Sequence, residues 1–168
     1  NGLIDCNDPA CFNDPACLNT TEPNACAPQS LIPATGFGVY SGNTIFAPSE
    51  ERGSCAGSGN EHVYRFIAPQ TGAVCVDSGG SSYDTALHVR SECTNPSAEL
   101  ACNDDSIFGL QSQLSFNATA GQSYYIFMDG FSGSGDYTLS INPGACGQEP
   151  PPLFEDCLLF GDEDGNGL

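Results

Sequence analysis

The sequence predicts an all-β domain of the antiparallel sandwich class. Short runs of alternating apolar and polar residues fill the region from about residue 37 to 142, and Gly-rich turns separate them. No stretch keeps a helical period for three turns. Six of the ten cysteines lie in the flanking segments, which show no strand period and are expected to be irregular and stapled. We therefore expect a jelly-roll-like sandwich with disulfide-rich, calcium-binding ends.

Six runs alternate strongly enough to be assigned as strands. They span residues 62–68, 73–77, 85–90, 113–116, 123–129 and 136–141. Turn sequences at 69–72, 120–121 and 130–135 separate them, each containing glycine. The residues that share the apolar phase of these runs are predicted to form the core: Tyr64, Phe66, Leu87, Val89, Leu114, Phe116, Ile126, Leu139 and Ile141.

Composition divides the chain into three parts. Residues 1–30 are rich in Asn, Asp, Pro and Cys, repeat the string Asn-Asp-Pro-Ala-Cys, and end in a linker-like stretch. Residues 31–143 hold the predicted sandwich. Residues 144–168 combine a Glu-Pro-Pro-Pro spacer with a strongly acidic end.

The charge balance restricts the partners. Lys plus Arg number 3 against 21 Asp plus Glu, which gives a net charge of −18. A chain with so few cations cannot neutralise a row of phosphates, so nucleic acid is excluded as a partner. No run of apolar residues is long enough for a transmembrane helix, and we expect no membrane insertion. Carboxylates clustered at ligand spacing point instead to a bound cation.

Several short motifs follow one another in the middle region. They are Val63-Tyr64-Arg65-Phe66, Ala68-Pro69, Ser82-Tyr83-Asp84-Thr85-Ala86-Leu87, Asn103-Asp104-Asp105, Ala120-Gly121-Gln122-Ser123-Tyr124-Tyr125 and Gly135-Asp136-Tyr137-Thr138-Leu139. In this order, across residues 37–142, they resemble the bacterial pre-peptidase C-terminal domain. The resemblance implies a secreted jelly-roll-like sandwich that serves as a binding or spacing module. It also implies that calcium, or a polymer such as collagen, is a ligand of some members.

The two ends of the sequence share the triplet Asn-Gly-Leu. Residues 162–168 read DEDGNGL and residues 1–8 read NGLIDCND, so that overlaying the triplet gives DEDGNGLIDCND. This string has the spacing of a twelve-residue EF-hand-type loop, except that Asp replaces the usual Glu at its last position. A solvated acidic turn is the alternative interpretation. The predicted Ca²⁺ ligands are Asp162, Asp164, Asn166 or Asn1, the carbonyl of Leu168 or Leu3, Asp5 and Asp8.

A calcium loop divided in this way has two explanations. Either the protein is a covalent tandem array, or separate subunits meet head to tail with Ca²⁺ between them. In both cases the predicted partners are copies of the same chain in a linear string.

The ten cysteines predict five disulfides and an extracellular or cell-surface location. A zinc site is the weaker alternative, because no CxxC pair occurs and only two histidines are present. Proximity in the sequence predicts the pairs Cys93–Cys102, Cys55–Cys75 and Cys146–Cys157. Cys6, Cys11, Cys17 and Cys26 would then pair among themselves in one of three ways.

Catalysis has little support in the sequence, and we predict that the chain is not an enzyme. No GxSxG elbow occurs, and His88 shares a strand phase with Ala86 and Arg90, which predicts a surface histidine. Asp104 and Asp105 are interpreted as a polar loop, with paired acids or a second metal site as the alternatives. Asn19 and Asn117 match the N-glycosylation pattern, so glycans are a further predicted partner.

These expectations combine into one functional prediction. The chain is expected to be a structural repeat unit or subunit of an extracellular fibre or surface adhesin, joined head to tail through its calcium loop. The alternative is an accessory module of a secreted hydrolase that binds a protein fibre or a polysaccharide.

Overall fold

The structure, a computed structural model, describes residues 24–55, 57–107 and 109–147. In these ranges the chain forms an all-β sandwich, as predicted, and holds no helix long and apolar enough to cross a bilayer. The strands are β1 Ile32–Ala34, β2 Gly38–Asn43, β3 His62–Ile67, β4 Gly72–Asp77, β5 Thr85–Arg90, β6 Glu99–Asn103, β7 Gln113–Ala118, β8 Ser123–Gly130 and β9 Asp136–Pro143. The six predicted strands are present, and β1, β2 and β6 were not assigned from the sequence.

The strands divide into two sheets. The five-stranded sheet has the order β1-β3-β8-β5-β6, and the four-stranded sheet has the order β2-β9-β4-β7. Neighbouring strands are antiparallel except for β1, a three-residue edge strand that runs parallel to β3. Sequence neighbours β4 and β5 therefore lie in different sheets, and each of them is an interior strand.

The core lies between the sheets and contains all nine residues predicted for it. In β3 and β8 the inward-facing residues Tyr64 and Ile126 stand opposite each other, and both are buried. The Tyr64 and Tyr137 hydroxyls lie 2.8 Å apart, so the polar atoms of these buried rings satisfy each other.

The outer face of the five-stranded sheet is also buried. Val63 and Phe127 belong to a second apolar cluster that includes the Cys26–Cys93 disulfide. The loop at 49–61 lies over the neighbouring part of this face, where Gly53 packs against His88. The prediction of a surface His88 is therefore wrong, since its side chain is 0% exposed.

The disulfides in the described residues are Cys26–Cys93, Cys55–Cys102 and Cys75–Cys146. The pairs predicted from proximity are wrong, and so is the placement of Cys26 among the first four. Cys75 sits between the core residues Val74 and Val76, so it points out of the four-stranded sheet. Cys55 lies over the other sheet and cannot reach it.

The geometry of β5 and β6 explains why Cys93 and Cys102 do not pair with each other. Cys102 on β6 stands opposite His88, whereas Cys93 lies beyond the end of β5. The two sulfurs are therefore separated along the β5–β6 ladder. Cys93 pairs with Cys26, and Cys102 pairs with Cys55 of the 49–61 loop. Cys6, Cys11, Cys17 and Cys157 lie outside the described residues.

Candidate functional site

The predicted calcium ligands all lie outside the described residues. They are Asp162, Asp164, Asn166, Leu168, Asn1, Leu3, Asp5 and Asp8. Within the described ranges, no group of three His, Cys, Asp or Glu side chains is placed to hold a metal ion. The structure does define where the chain turns toward these segments. On the N-terminal side it is fixed at Cys26 on the outer face of the five-stranded sheet, and on the C-terminal side at Cys146 on the outer face of the four-stranded sheet.

Under the 49–61 loop and at its end lies a set of buried ionisable side chains, Glu61, His88, Arg90 and Asp129, which we call the buried charged layer. Arg90 connects this layer to the loop. Its Nη1 lies 2.5 Å from Glu51 Oε2 and donates to the Cys93 carbonyl at 2.9 Å, and its Nη2 donates to the Arg52 carbonyl at 2.8 Å. The guanidinium also lies 4.7 Å from the centroid of the Phe127 ring, at cation–π distance.

His88 is a neutral, stacked member of this layer. Its ring packs on Phe127 with centroids 4.1 Å apart and planes 11° from parallel. Neither ring nitrogen has a hydrogen-bond partner. Burial, followed by the neighbouring Arg90 charge, lowers the pKa of His88 to about 3. The imidazole therefore stays uncharged at neutral pH.

Asp129 is the opposite case, a carboxyl that burial keeps protonated. Its Oδ1 accepts the Gly130 N–H at 2.6 Å, while its Oδ2 is buried without a partner under Gly57. Burial, followed by the charge of Glu61, raises the pKa of Asp129 to about 8. Burial also raises the pKa of Glu61, whose Oε1 accepts the N–H groups of Glu50 at 3.0 Å and Glu51 at 2.9 Å.

The hydrogen-bond partners of His62 and His88 show whether either histidine is placed to activate a nucleophile. His62 Nδ1 lies 2.9 Å from the Tyr137 hydroxyl, and His88 makes no hydrogen bond. Within the described residues, neither histidine hydrogen-bonds to a serine, a cysteine or a carboxylate, which is the contact that an activated nucleophile requires.

Asp104 and Asp105 lie in the loop after β6, near Asp84. Burial, followed by the charges of Asp105 and Asp104, raises the pKa of the Asp84 carboxyl. Three acids thus gather at one end of the sandwich, and they do not form a metal-binding group.

The outer face of the four-stranded sheet is open and mainly polar, with the exposed Val39 as an apolar exception. Its two carboxylates are hydrogen-bonded by amides: Asp77 accepts from Gln113 at 2.7 Å and Asp136 accepts from Asn43 at 2.6 Å. A depression of about 330 Å³ adjoins the Cys75–Cys146 disulfide. The uncharged polar residues of this open face are Ser41, Asn43, Gln113, Ser115, Asn117, Thr138, Ser140 and Asn142.

The structure describes one of the two predicted glycosylation sites. Asn117 is exposed on the edge strand β7, and Asn19 lies outside the described residues.

No family model and no curated protein matches this chain. Among solved structures, the pre-peptidase C-terminal domain of a collagenase from Bacillus anthracis is similar, with 18% identity, a TM-score of 0.46, and coverage of 69% of this chain and 98% of that one. PliG of Aeromonas hydrophila, a periplasmic inhibitor of g-type lysozyme, is similar with 16% identity, a TM-score of 0.44, and coverage of 67% and 96%. The three disulfides indicate an oxidising compartment.

Proposed function

We propose that this chain is a structural unit of an extracellular protein, joined end to end with copies of itself through a calcium-binding loop. One observation carries the proposal. The segments that lead to the two halves of the predicted loop are fixed by disulfides on opposite outer faces of the sandwich, at Cys26 and at Cys146. Anchors on opposite faces allow successive sandwiches to extend away from each other, which is the arrangement that a linear string requires.

Electrostatics gives calcium a specific role at the junction. The chain carries a net charge of −18, so neighbouring units repel each other. Bringing Asp162, Asp164, Asp5 and Asp8 together without a cation would add to that repulsion. Bound Ca²⁺ offsets half of the charge of these four carboxylates, and its binding free energy orders a segment that has little apolar core of its own.

The test compares the single chain with a chain that carries two successive copies sharing one Asn-Gly-Leu triplet. Calorimetric titration with Ca²⁺ should show one additional site in the two-copy chain. Asp162→Asn at the shared junction should abolish that site. Asp105→Asn, an exposed acid of the loop after β6, is the matched control and should leave it unchanged.

Equal calcium binding per copy in the two chains, or none in either, would contradict the proposal. A second measurement is the length of the particle. Small-angle scattering should show an extended two-copy chain in calcium and a broader distribution of lengths after chelation, with each sandwich still folded.

A second candidate function is binding of an uncharged polymer on the open face of the four-stranded sheet. The observation that favours it is the set of hydroxyl and amide side chains on β2, β9 and β7, in a chain whose net charge is strongly negative. Short polar side chains on a flat sheet can hydrogen-bond to the repeating polar groups of a protein fibre or a neutral polysaccharide.

Co-sedimentation with insoluble collagen and with cellulose tests this candidate. Ser140→Arg places a bulky cation in the middle of the open face and should abolish binding. Ser132→Arg, in the exposed turn between β8 and β9, is the matched control. Binding that fails for both polymers, or that falls equally in the two variants, would refute polymer binding on this face.

A further inference from the structure

The disulfides near the ends of the sandwich interleave. One bond joins Cys26 to Cys93 and the other joins Cys75 to Cys146. The two closed loops therefore overlap in the segment from Cys75 to Cys93. A continuous covalent path runs from Cys26 across the first bond to Cys93, back along the backbone to Cys75, and across the second bond to Cys146.

This path is much shorter than the backbone. It contains the eighteen peptide units between Cys75 and Cys93, whereas the backbone from Cys26 to Cys146 contains one hundred and twenty. At about 3.3–3.6 Å per residue, the fully extended lengths are about 60–65 Å and about 400–430 Å. Tension applied outside Cys26 and Cys146 therefore passes only through residues 75–93, and the rest of the chain between these cysteines carries none.

The path also changes where tension enters the fold. The first strand after Cys26 is β1, an edge strand that pairs with β3 through three residues, and it would peel away first under tension. The Cys26–Cys93 bond bypasses β1 and delivers the tension to the end of β5. The Cys75–Cys146 bond delivers it to β4. Both are interior strands with a hydrogen-bonded neighbour on each side.

From this connectivity we infer a further function: the module transmits tension between its two ends and limits its own extension covalently. The third bond, Cys55–Cys102, lies off the short path and has no part in the limit. The use of this property in a string of units rests on the proposed function above, but the property itself belongs to the single chain and can be measured on it.

The experiment stretches single molecules of the full chain between handles at residues 24 and 148. Azide-bearing residues at these positions avoid thiol chemistry, and Cys6, Cys11, Cys17 and Cys157 are replaced by serine so that they form no parallel path. The oxidised chain should unfold with a contour length of about 18 residues between Cys26 and Cys146, to which the segments to the handles add about 4. After reduction it should reach about 120 residues plus the same 4, a five- to sixfold increase.

Variants sharpen the test because each has its own expected length. Loss of Cys26–Cys93 leaves a shortest path of about 49 residues through Cys75–Cys146, and loss of Cys75–Cys146 leaves about 53 through Cys26–Cys93. Loss of Cys55–Cys102 is the matched control and should leave the length at about 18 residues. If a variant does not fold, reduction of the oxidised chain under tension gives the same lengths, as steps of about 31 or 35 residues.

An oxidised chain that extends by more than about 50 residues would overturn the inference, as would a change of length on loss of Cys55–Cys102 alone. Failure of the end-to-end assembly in the calcium titration would leave these lengths unaffected. The two ideas can therefore fail separately.

Discussion

The outer faces of the two sheets differ more than their inner faces do. The face of the five-stranded sheet is covered by a third layer, the 24–31 and 49–61 segments, and buries four ionisable side chains under two disulfides. The open face of the four-stranded sheet carries mainly uncharged polar side chains, two carboxylates that are hydrogen-bonded to amides, and one of the described disulfides. One face has thus become an additional core, and the other remains a surface available for contact.

This difference assigns separate tasks to the two faces. Buried ionisable groups are costly unless they are paired or neutral, so the covered face depends on a specific arrangement of its loop. The open face imposes few packing constraints, so its residues can change without loss of the fold. Substitutions should therefore be severe on the first face and mild on the second.

Arg90→Ala should have the largest effect. It removes a buried cation that binds Glu51 and the carbonyls of Arg52 and Cys93, and it leaves those groups unpaired under the loop. The free energy of unfolding should fall by about 3–5 kcal/mol. Arg65→Ala, an exposed arginine on β3, is the control and should cost under about 0.5 kcal/mol. Denaturant unfolding measures the loss of stability in both variants. Equal losses would contradict the prediction that the buried Arg90 contributes more to stability than the exposed Arg65.

Asp129 by itself should lower the stability of the fold as the pH rises from about 4 to 8, with His88 acting in the opposite direction below about pH 6.5. In this window the folded chain keeps the Asp129 proton, because its pKa is raised to about 8, while the unfolded chain releases it. The loss should be about 2–4 kcal/mol across the window. Asp129→Asn should reduce this decline to the part that the buried Glu61 contributes, and a variant that declines as the original does would show that another group is responsible.

His88 should contribute the opposite slope on the acid side. Its lowered pKa means that the unfolded chain gains a proton below about pH 6.5 while the folded chain does not, so stability falls as the pH drops toward 3. His88→Leu should flatten that acid limb of the unfolding curve, measured from pH 3 to 6.5. If the loss of stability at low pH is unchanged in this variant, protonation of a group other than His88 causes it.

Gly57→Ala should cost about 2–3 kcal/mol. The residue has φ +108°, and an added Cβ would collide with the Asp129 carboxylate. Gly144→Ala is the matched control beyond β9, since it has φ +93° with open space around it and should cost only about 1 kcal/mol for the backbone. Thermal unfolding separates the two, and similar losses would mean that the 49–61 loop moves aside.

Ser140→Ala should have the smallest effect, within about 0.5 kcal/mol of the original, because the residue stands on the open face of β9. A loss above about 1 kcal/mol in chemical denaturation would show that this face is packed in solution.

The sequence predicted the sandwich core well because alternation is a local signal. The phases of Tyr64, Leu114 and Leu139 are set by their own strands, and all three are buried between the sheets. The covered face could not be predicted in this way. A histidine or an arginine at an alternate strand position resembles a surface residue, and only a distant loop makes Arg90 buried. The continuous apolar run from Tyr124 to Met128 was the one local sign that β8 is buried on both faces.

The site was less predictable than the fold. Pairing cysteines by proximity failed because sandwich topology brings together segments from 47 to 71 residues apart. The calcium ligands remain a prediction, since they lie outside the described residues.

The interleaved bonds have a consequence for how the protein is made. Among the six described cysteines, the first pairs with the fourth, the second with the fifth and the third with the sixth. As the chain emerges during synthesis, Cys26, Cys55 and Cys75 are all exposed before the first correct partner, Cys93, has been made. None of these three bonds can close until then, so the nascent chain carries these three reactive thiols at once and depends on thiol–disulfide exchange to remove early mispairings.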